Sequence, residues 1–268
     1  GARAIRYRAA VNGVHQNAFM PSRFAANPRP IPILVYHQID EAPPKGAPFR
    51  SLVVSPAGFA RQMAMLRLLG YRGLSMPDLM PYLLGHCTGK VVGLTFDDGY
   101  LNNLTHALPV LRRHGFTATC YAVSQYLGQT NVWDQALGIA QTPLMDAAQL
   151  RLWIQAGQDL GAHTRHHVRL PELADQQSRQ EIEQSRAELA TASNTPVAHF
   201  CYPYGEFRTE HAAMTENAGF ATATTTRRGR CARGEDFLRL PRVPVLRSTS
   251  LLTFWLKLAT TYEDRRAV

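Results

Sequence analysis

The pattern of this chain predicts an α/β fold, one barrel of alternating parallel strands and helices, open or closed. Short apolar runs alternate with helical stretches about seven times, the mark of a mainly parallel sheet. The 268 residues, 45% of them hydrophobic, suit one large domain with an ample core. Polar residues capable of chemistry follow several of the strands, at the ends where barrels carry their active sites.

Residues 1–30 hold five arginines (Arg3, Arg6, Arg8, Arg23 and Arg29) and no acid. They read as a basic arm, part of it foreign to the natural chain, with Met20 a candidate native start. Residues 31–268 read as the folded domain. Ile31–Tyr36 is the first strand and ends at His37. A loop with Pro43, Pro44, Gly46 and Pro48 follows. Ser55-Pro56 then caps a helix whose apolar face is Phe59, Met63, Leu66 and Leu69, closed by Gly70. The alternation continues with strand Val91–Phe96, helix Asn102–His114, strand Thr117–Val123, helix Leu144–Ala156 and strand Asp159–His163. An amphipathic helix Gln176–Ala192, strand Val197–Tyr202, helix Thr209–Asn217 and strand Ala221–Thr226 come next. Strand Leu238–Val245 and the apolar helix Leu251–Ala259 complete the reading.

No run approaches the ~20 apolar residues needed to span a bilayer, and no export signal is visible. The formal charge of +9 comes largely from the arm. Arg227, Arg228, Arg230 and Arg233 form a second basic stretch, read as a solvated loop, so no nucleic-acid partner is expected. The four cysteines, Cys87, Cys120, Cys201 and Cys231, lack metal-ligand spacing and are too sparse for a disulfide scaffold.

Three stretches carry the chemistry. In Leu94-Thr95-Phe96-Asp97-Asp98-Gly99 a buried strand ends in two adjacent carboxylates. Such a pair repels itself unless a cation or a division of roles relieves it, although a polar turn is an equally ordinary reading. In His163-Thr164-Arg165-His166-His167 two imidazoles stand four residues apart. With Asp98 they make a three-ligand set suited to zinc or another divalent transition metal, with positions open for water and substrate; polar residues on an exposed loop are the alternative. Asp97 is then the natural base and His37 the candidate acid, though His37 also fits a satisfied buried histidine. In Tyr202-Pro203-Tyr204-Gly205 proline and glycine set a sharp turn. The Tyr204 amide could face an oxyanion and the rings could stack on a sugar; a rigid turn with no further role is the other reading.

Taken in order, Thr95-Phe96-Asp97-Asp98-Gly99, His163-Thr164-Arg165-His166-His167 and Tyr202-Pro203-Tyr204-Gly205 resemble the motifs of the polysaccharide deacetylases of carbohydrate esterase family 4, over about residues 31–247. The resemblance implies a distorted (β/α)7 barrel, a divalent metal, usually zinc with cobalt or nickel as alternatives, and hydrolysis of acetyl groups from an acetylated polysaccharide. It implies Asp97 as base, Asp98, His163 and His167 as metal ligands, and the Tyr204 amide at the oxyanion. Tyr202 and Pro203 fall with Tyr204 in the substrate-binding motif. Cys201 stands where the third motif usually has an arginine paired with the base, and Arg242 is the candidate substitute. The usual late histidine motif is missing. Ile33-Leu34-Val35-Tyr36-His37 is similar to a branch with permuted motif order, in which an early histidine is the acid and which includes poly-β-1,6-N-acetylglucosamine deacetylases. That tilts the expected substrate toward N-acetylglucosamine polymers and the expected location toward the cell envelope or periplasm. An O-acetyl esterase, a non-haem iron oxygenase and a non-catalytic glycan- or nucleic-acid-binding module are the competing readings. The oligomeric state is not legible.

Overall fold

The computed structural model describes residues 29–266. All but the last two residues of the expected basic arm, Met20 included, lie outside the described residues.

In chain order the strands are β1 (Ile33–Tyr36), β2 (Gln38–Ile39), β3 (Val53–Val54), β4 (Arg72–Leu74), β5 (Val91–Phe96), β6 (Thr119–Ala122), β7 (Asp159–Ala162), β8 (His199–Cys201), β9 (Thr222–Arg228) and β10 (Leu240–Pro244). The helices are α1 (Pro56–Leu68), α2 (Met76–Leu83), α3 (Leu108–His114), α4 (Ala147–Gln155), α5 (Asp175–Ser193), α6 (Thr209–Asn217) and α7 (Leu251–Ala259). Strands β5 to β10 pair in sequence, all parallel, and β1 pairs with both β5 and β10. That closes a parallel barrel of seven strands, the expected (β/α)7 architecture. β4 is an extra: Gly93 of β5 pairs with Ile33 on one edge and Leu74 on the other, so β4 fills the gap beside β5 where β6 has not yet begun.

Alternation along the strands divides the core. Val92, Leu94 and Phe96 point outward and pack with Phe59, Met63 and Leu66 of α1. Ile33, Val91, Tyr121, Cys201 and Leu240 fill the interior with Met76 and Leu79 of α2, a helix closed over the barrel's base. Gly161 of β7 leaves room for an interior ring: a Cβ there would lie 2.3 Å from Cδ1 of Tyr121.

The structure adds to the sequence reading in several places and corrects one helix start. β4 and α2 were not expected, because three residues carry little periodicity and Pro77 and Pro81 argue against a helix. The helix expected over Asn102–His114 is present and contains a π-helical turn, Asn103–Ala107, ahead of α3; Pro109 has no amide to donate to that turn. The helix expected from Leu144 starts at Ala147, where Asp146 and Gln149 form a capping box. Leu144 instead bridges to Tyr100. The basic stretch faces solvent as expected, but it is ion-paired and begins in β9: Arg227, Arg228 and Arg230 pair with Glu235, Glu263 and Asp264.

Candidate active site

The C-terminal strand ends bring the three motifs together. Asp97 and Asp98 leave β5, His163 leaves β7, Cys201 ends β8, and Arg242 rises within β10. Even-odd alternation aims Thr95, Asp97, Gly161, Leu240 and Arg242 inward.

Oδ1 of Asp98 lies 3.5 Å from Nε2 of His163 and 3.3 Å from Nε2 of His167, and all three residues are buried. Their ligand atoms lie within 4.8 Å of one another. The second nitrogens are committed elsewhere. Nδ1 of His163 is 2.8 Å from the Cys201 carbonyl, to which it can only donate. Nδ1 of His167 is 3.2 Å from the Tyr204 hydroxyl. When His163 is neutral its proton lies on Nδ1, and Nε2 then offers a lone pair on the side of the Asp98 carboxylate, an arrangement that a cation between them satisfies. The donor set therefore fits a divalent metal.

Asp97 takes a different environment. Arg242, 1% exposed, clamps it with two 2.7 Å hydrogen bonds, from Nη1 to Oδ1 and from Nη2 to Oδ2. The guanidinium is itself held by the Thr225 carbonyl at 2.9 Å and the Thr95 hydroxyl at 3.2 Å, and it touches the Cys201 sulfur at 3.2 Å. So the small Cys201 leaves space that an arginine from β10 fills. Nε2 of His37 stands 4.0 Å from Oδ2 of Asp97, and Asn103 donates to the His37 carbonyl at 3.0 Å.

Burial opposes charge on both acids, yet both remain ionised. Against its burial, Asp97 is lowered below the usual carboxylate range by Arg242. Asp98 falls well below that range because His163 and His167 face it. Burial pushes His167 down.

The third motif is only partly as expected. Tyr204 sits in the left-handed region, at φ 59°, and its hydroxyl reaches His167 while Arg169 covers its ring at 4.0 Å. Thr226 seals this turn by donating to the Tyr204 carbonyl at 3.2 Å, and a Cβ on Gly205 would fall 1.9 Å from the Thr226 hydroxyl oxygen. Tyr202 and Pro203 are buried, so the expectation that their rings meet substrate is corrected. Tyr202 belongs to the outward parity of β8. It stacks on Phe207 and donates to the Leu238 carbonyl at 3.1 Å.

Two residues of the site were given no role by the sequence. Trp133, in the 3-10 segment Val132–Leu137 between β6 and α4, stacks on the His167 ring at 4.6 Å. Thr95 links Arg242 to the Leu34 carbonyl, its hydroxyl donating at 2.7 Å.

The family model for polysaccharide deacetylase matches residues 85–223, more than half of the chain. The chain belongs to the polysaccharide deacetylase family. It is a deacetylase, a hydrolase of a family that generally depends on a divalent metal. YxkH of Bacillus subtilis (strain 168) is 28% identical over 220 residues, covering 81% of this chain and 72% of that protein. The crystal structure of BC0361, a polysaccharide deacetylase from Bacillus cereus, aligns with a TM-score of 0.74 at 25% identity over 86% of this chain and 69% of that one. A de-N-acetylase from Aggregatibacter actinomycetemcomitans shares the fold, with a TM-score of 0.70 at 18% identity over 85% of this chain and all of that one.

Proposed function

We propose that this deacetylase removes N-acetyl groups from an N-acetylglucosamine-containing polysaccharide of the cell envelope, using zinc held by Asp98, His163 and His167. The observation that carries the reading is the division between adjacent acids: Asp98 faces two imidazole nitrogens at 3.3 and 3.5 Å, while Asp97 is turned away from them and clamped by Arg242. The early His37, 4.0 Å from Asp97, supports the N-acetylglucosamine preference through the permuted motif order. The structural neighbour from Aggregatibacter actinomycetemcomitans is a de-N-acetylase, which accords with this reading.

A bound zinc ion would polarise the acetyl carbonyl and acidify water at the site. Asp97, ionised and oriented by Arg242, takes the proton of the attacking water. Its two oxygens are both occupied by the guanidinium, which leaves the remaining lone-pair directions for that proton. The backbone amide of Tyr204, on its left-handed turn, serves the developing oxyanion. His37 stands on the Asp97 side and protonates the departing sugar nitrogen, so acetate and a free amine result. Arg242 touches no substrate; it is a positioning residue acting through Asp97.

An acetate-release screen over poly-N-acetylglucosamine, chitin oligomers, peptidoglycan and acetylxylan, with and without chelator, tests the substrate class. Release from acetylxylan alone would replace this reading with an O-acetyl esterase. Asp97→Asn should abolish release while zinc stays bound; retained activity would remove Asp97 from the role of base.

A further inference from the structure

The turn that presents His163 and His167 is backbone under strain. Thr164 and His167 both take left-handed conformations, at φ 62° and 56°. Residues other than glycine adopt this conformation only at a cost, so neighbouring structure must hold them there.

The polar groups of the turn have identifiable partners. The His163 amide donates to the Ala122 carbonyl of β6 at 2.9 Å. The Thr164 and Arg165 carbonyls accept from the amides of Ser124 and Gln125, at 3.3 and 3.0 Å. The His167 amide donates to the Thr164 hydroxyl at 3.0 Å. The two amides at the centre of the turn go to one side chain on another element: Arg165 and His166 donate at 2.9 and 3.0 Å to Oε2 of Glu181, on α5. Oε1 of the same carboxylate takes Nδ1 of His166 at 2.6 Å. About two turns further along α5, Glu188 receives Nε of Arg165 at 2.9 Å and the Ser124 hydroxyl at 2.5 Å. Glu181 is buried. A buried carboxylate is retained only when donors satisfy it, and here three do.

We infer that Glu181 is a positioning residue for the metal site, fastening the strained His163–His167 turn so that both imidazoles meet Asp98. It acts without touching the ion or the substrate, through backbone amides. This also gives His166 its place: its ring turns away from the other two imidazoles and completes the Glu181 anchor. The inference rests on the proposed metal site, and its test separates the two.

The test measures the zinc dissociation constant of the full chain by competition with a chromogenic chelator, alongside the thermal midpoint, for Glu181→Ala, Glu181→Asp and Glu181→Gln. Alanine removes the acceptor and should weaken zinc binding 10- to 100-fold, as losing a group that orients a ligand typically does. Aspartate keeps the charge but is one methylene short and should weaken binding several-fold. Glutamine keeps one carbonyl oxygen for the two amides and should restore affinity to within a few-fold of wild type. A purely structural role would lower the midpoint and leave the affinity of the folded protein unchanged. Wild-type affinity in all three variants overturns the inference. If Glu181→Ala does not fold, the aspartate–glutamine comparison decides, and equal affinities overturn it. A wild-type chain that binds no zinc would instead refute the metal reading itself.

Discussion

Replacing Arg242 by methionine isolates the clamp on Asp97. The substitution keeps an unbranched apolar stem and deletes the guanidinium, leaving a carboxylate that is 4% exposed without its cation. Breaking a buried pair from one side costs about 3–5 kcal/mol, mostly the penalty of the stranded charge. The geometry here favours the upper half of that range, since both carboxylate oxygens lose a 2.7 Å charge-assisted bond at once. Asp97→Asn in the same background removes the stranded charge, so the double variant should recover about 2–3 kcal/mol relative to Arg242→Met alone. Urea unfolding of the four proteins at pH 7, read at constant slope, gives the coupling. The pH dependence supplies a second check. Arg242 holds Asp97 below its ordinary value of 3.8, so the clamp contributes fully above about pH 4 and its contribution fades as pH falls through the lowered value. In Arg242→Met burial, which raises Asp97, is opposed only by the nearby His163 and His37, so the variant regains stability as acid protonates the stranded group. A coupling under about 0.5 kcal/mol, or a penalty that does not change between pH 7 and pH 4, would refute the clamp.

Asp98→Ala and His163→Ala each leave two of three proposed ligands, and elemental analysis should find the purified proteins largely free of zinc. His37→Ala should lower turnover on N-acetyl substrates about 100-fold or more, and much less on an acetyl ester with a good leaving group, whose departure needs no proton; equal losses would deny the acid role. Asp159 at the start of β7 makes a separate pH prediction. Burial raises its carboxyl from 3.8 to about 7, with the Thr119 hydroxyl bond opposing. A raised carboxylate favours the fold below its unfolded value and loses that advantage as pH rises toward 7. Asp159→Asn should match wild type at pH 4 and exceed its stability at pH 8, and an equal gain at both pH values would contradict the assignment.

How much of this was legible depended on whether a residue's position followed a period. β5 is an apolar run of six residues, and the two acids, His37 and His163 follow from reading strand ends as the chemical face; His167 followed from its spacing to His163, and Arg242 only from the resemblance. Tyr202 was misread because the parity of β8 was not applied: Cys201 belongs to the interior, so Phe200 and Tyr202 must face the helices. β4 and Leu144 failed for the opposite reason, one being too short for a period and the other apolar without being helical. Trp133 follows no period, since it lies in irregular backbone. Glu181 falls on the buried face of its helix with Ser178, Ile182, Ser185 and Leu189, but a carboxylate there names no partner until tertiary contacts are seen.

The adjacent acids show why the site needs strained backbone. Along a strand consecutive side chains point to opposite faces, so Asp97 and Asp98 in regular β conformation could not serve one centre. Asp97 obeys the parity of β5 and enters the barrel toward Arg242 and His37. Asp98 breaks it: its φ of 74° reverses the chain direction and swings the second carboxylate across to His163 and His167. Thr164, His167 and Tyr204 make the same left-handed departure at the neighbouring strand ends. Each departure converts an alternating ladder into convergent side chains, and each must be held by bonds from outside the turn. The carboxylate of Glu181 does this behind His163–His167, and the Thr226 hydroxyl does it behind Tyr204. Convergence on one centre is therefore a property of the anchors as much as of the residues that converge. A substitution behind a turn should disturb the chemistry more than an equally destabilising one elsewhere in the core.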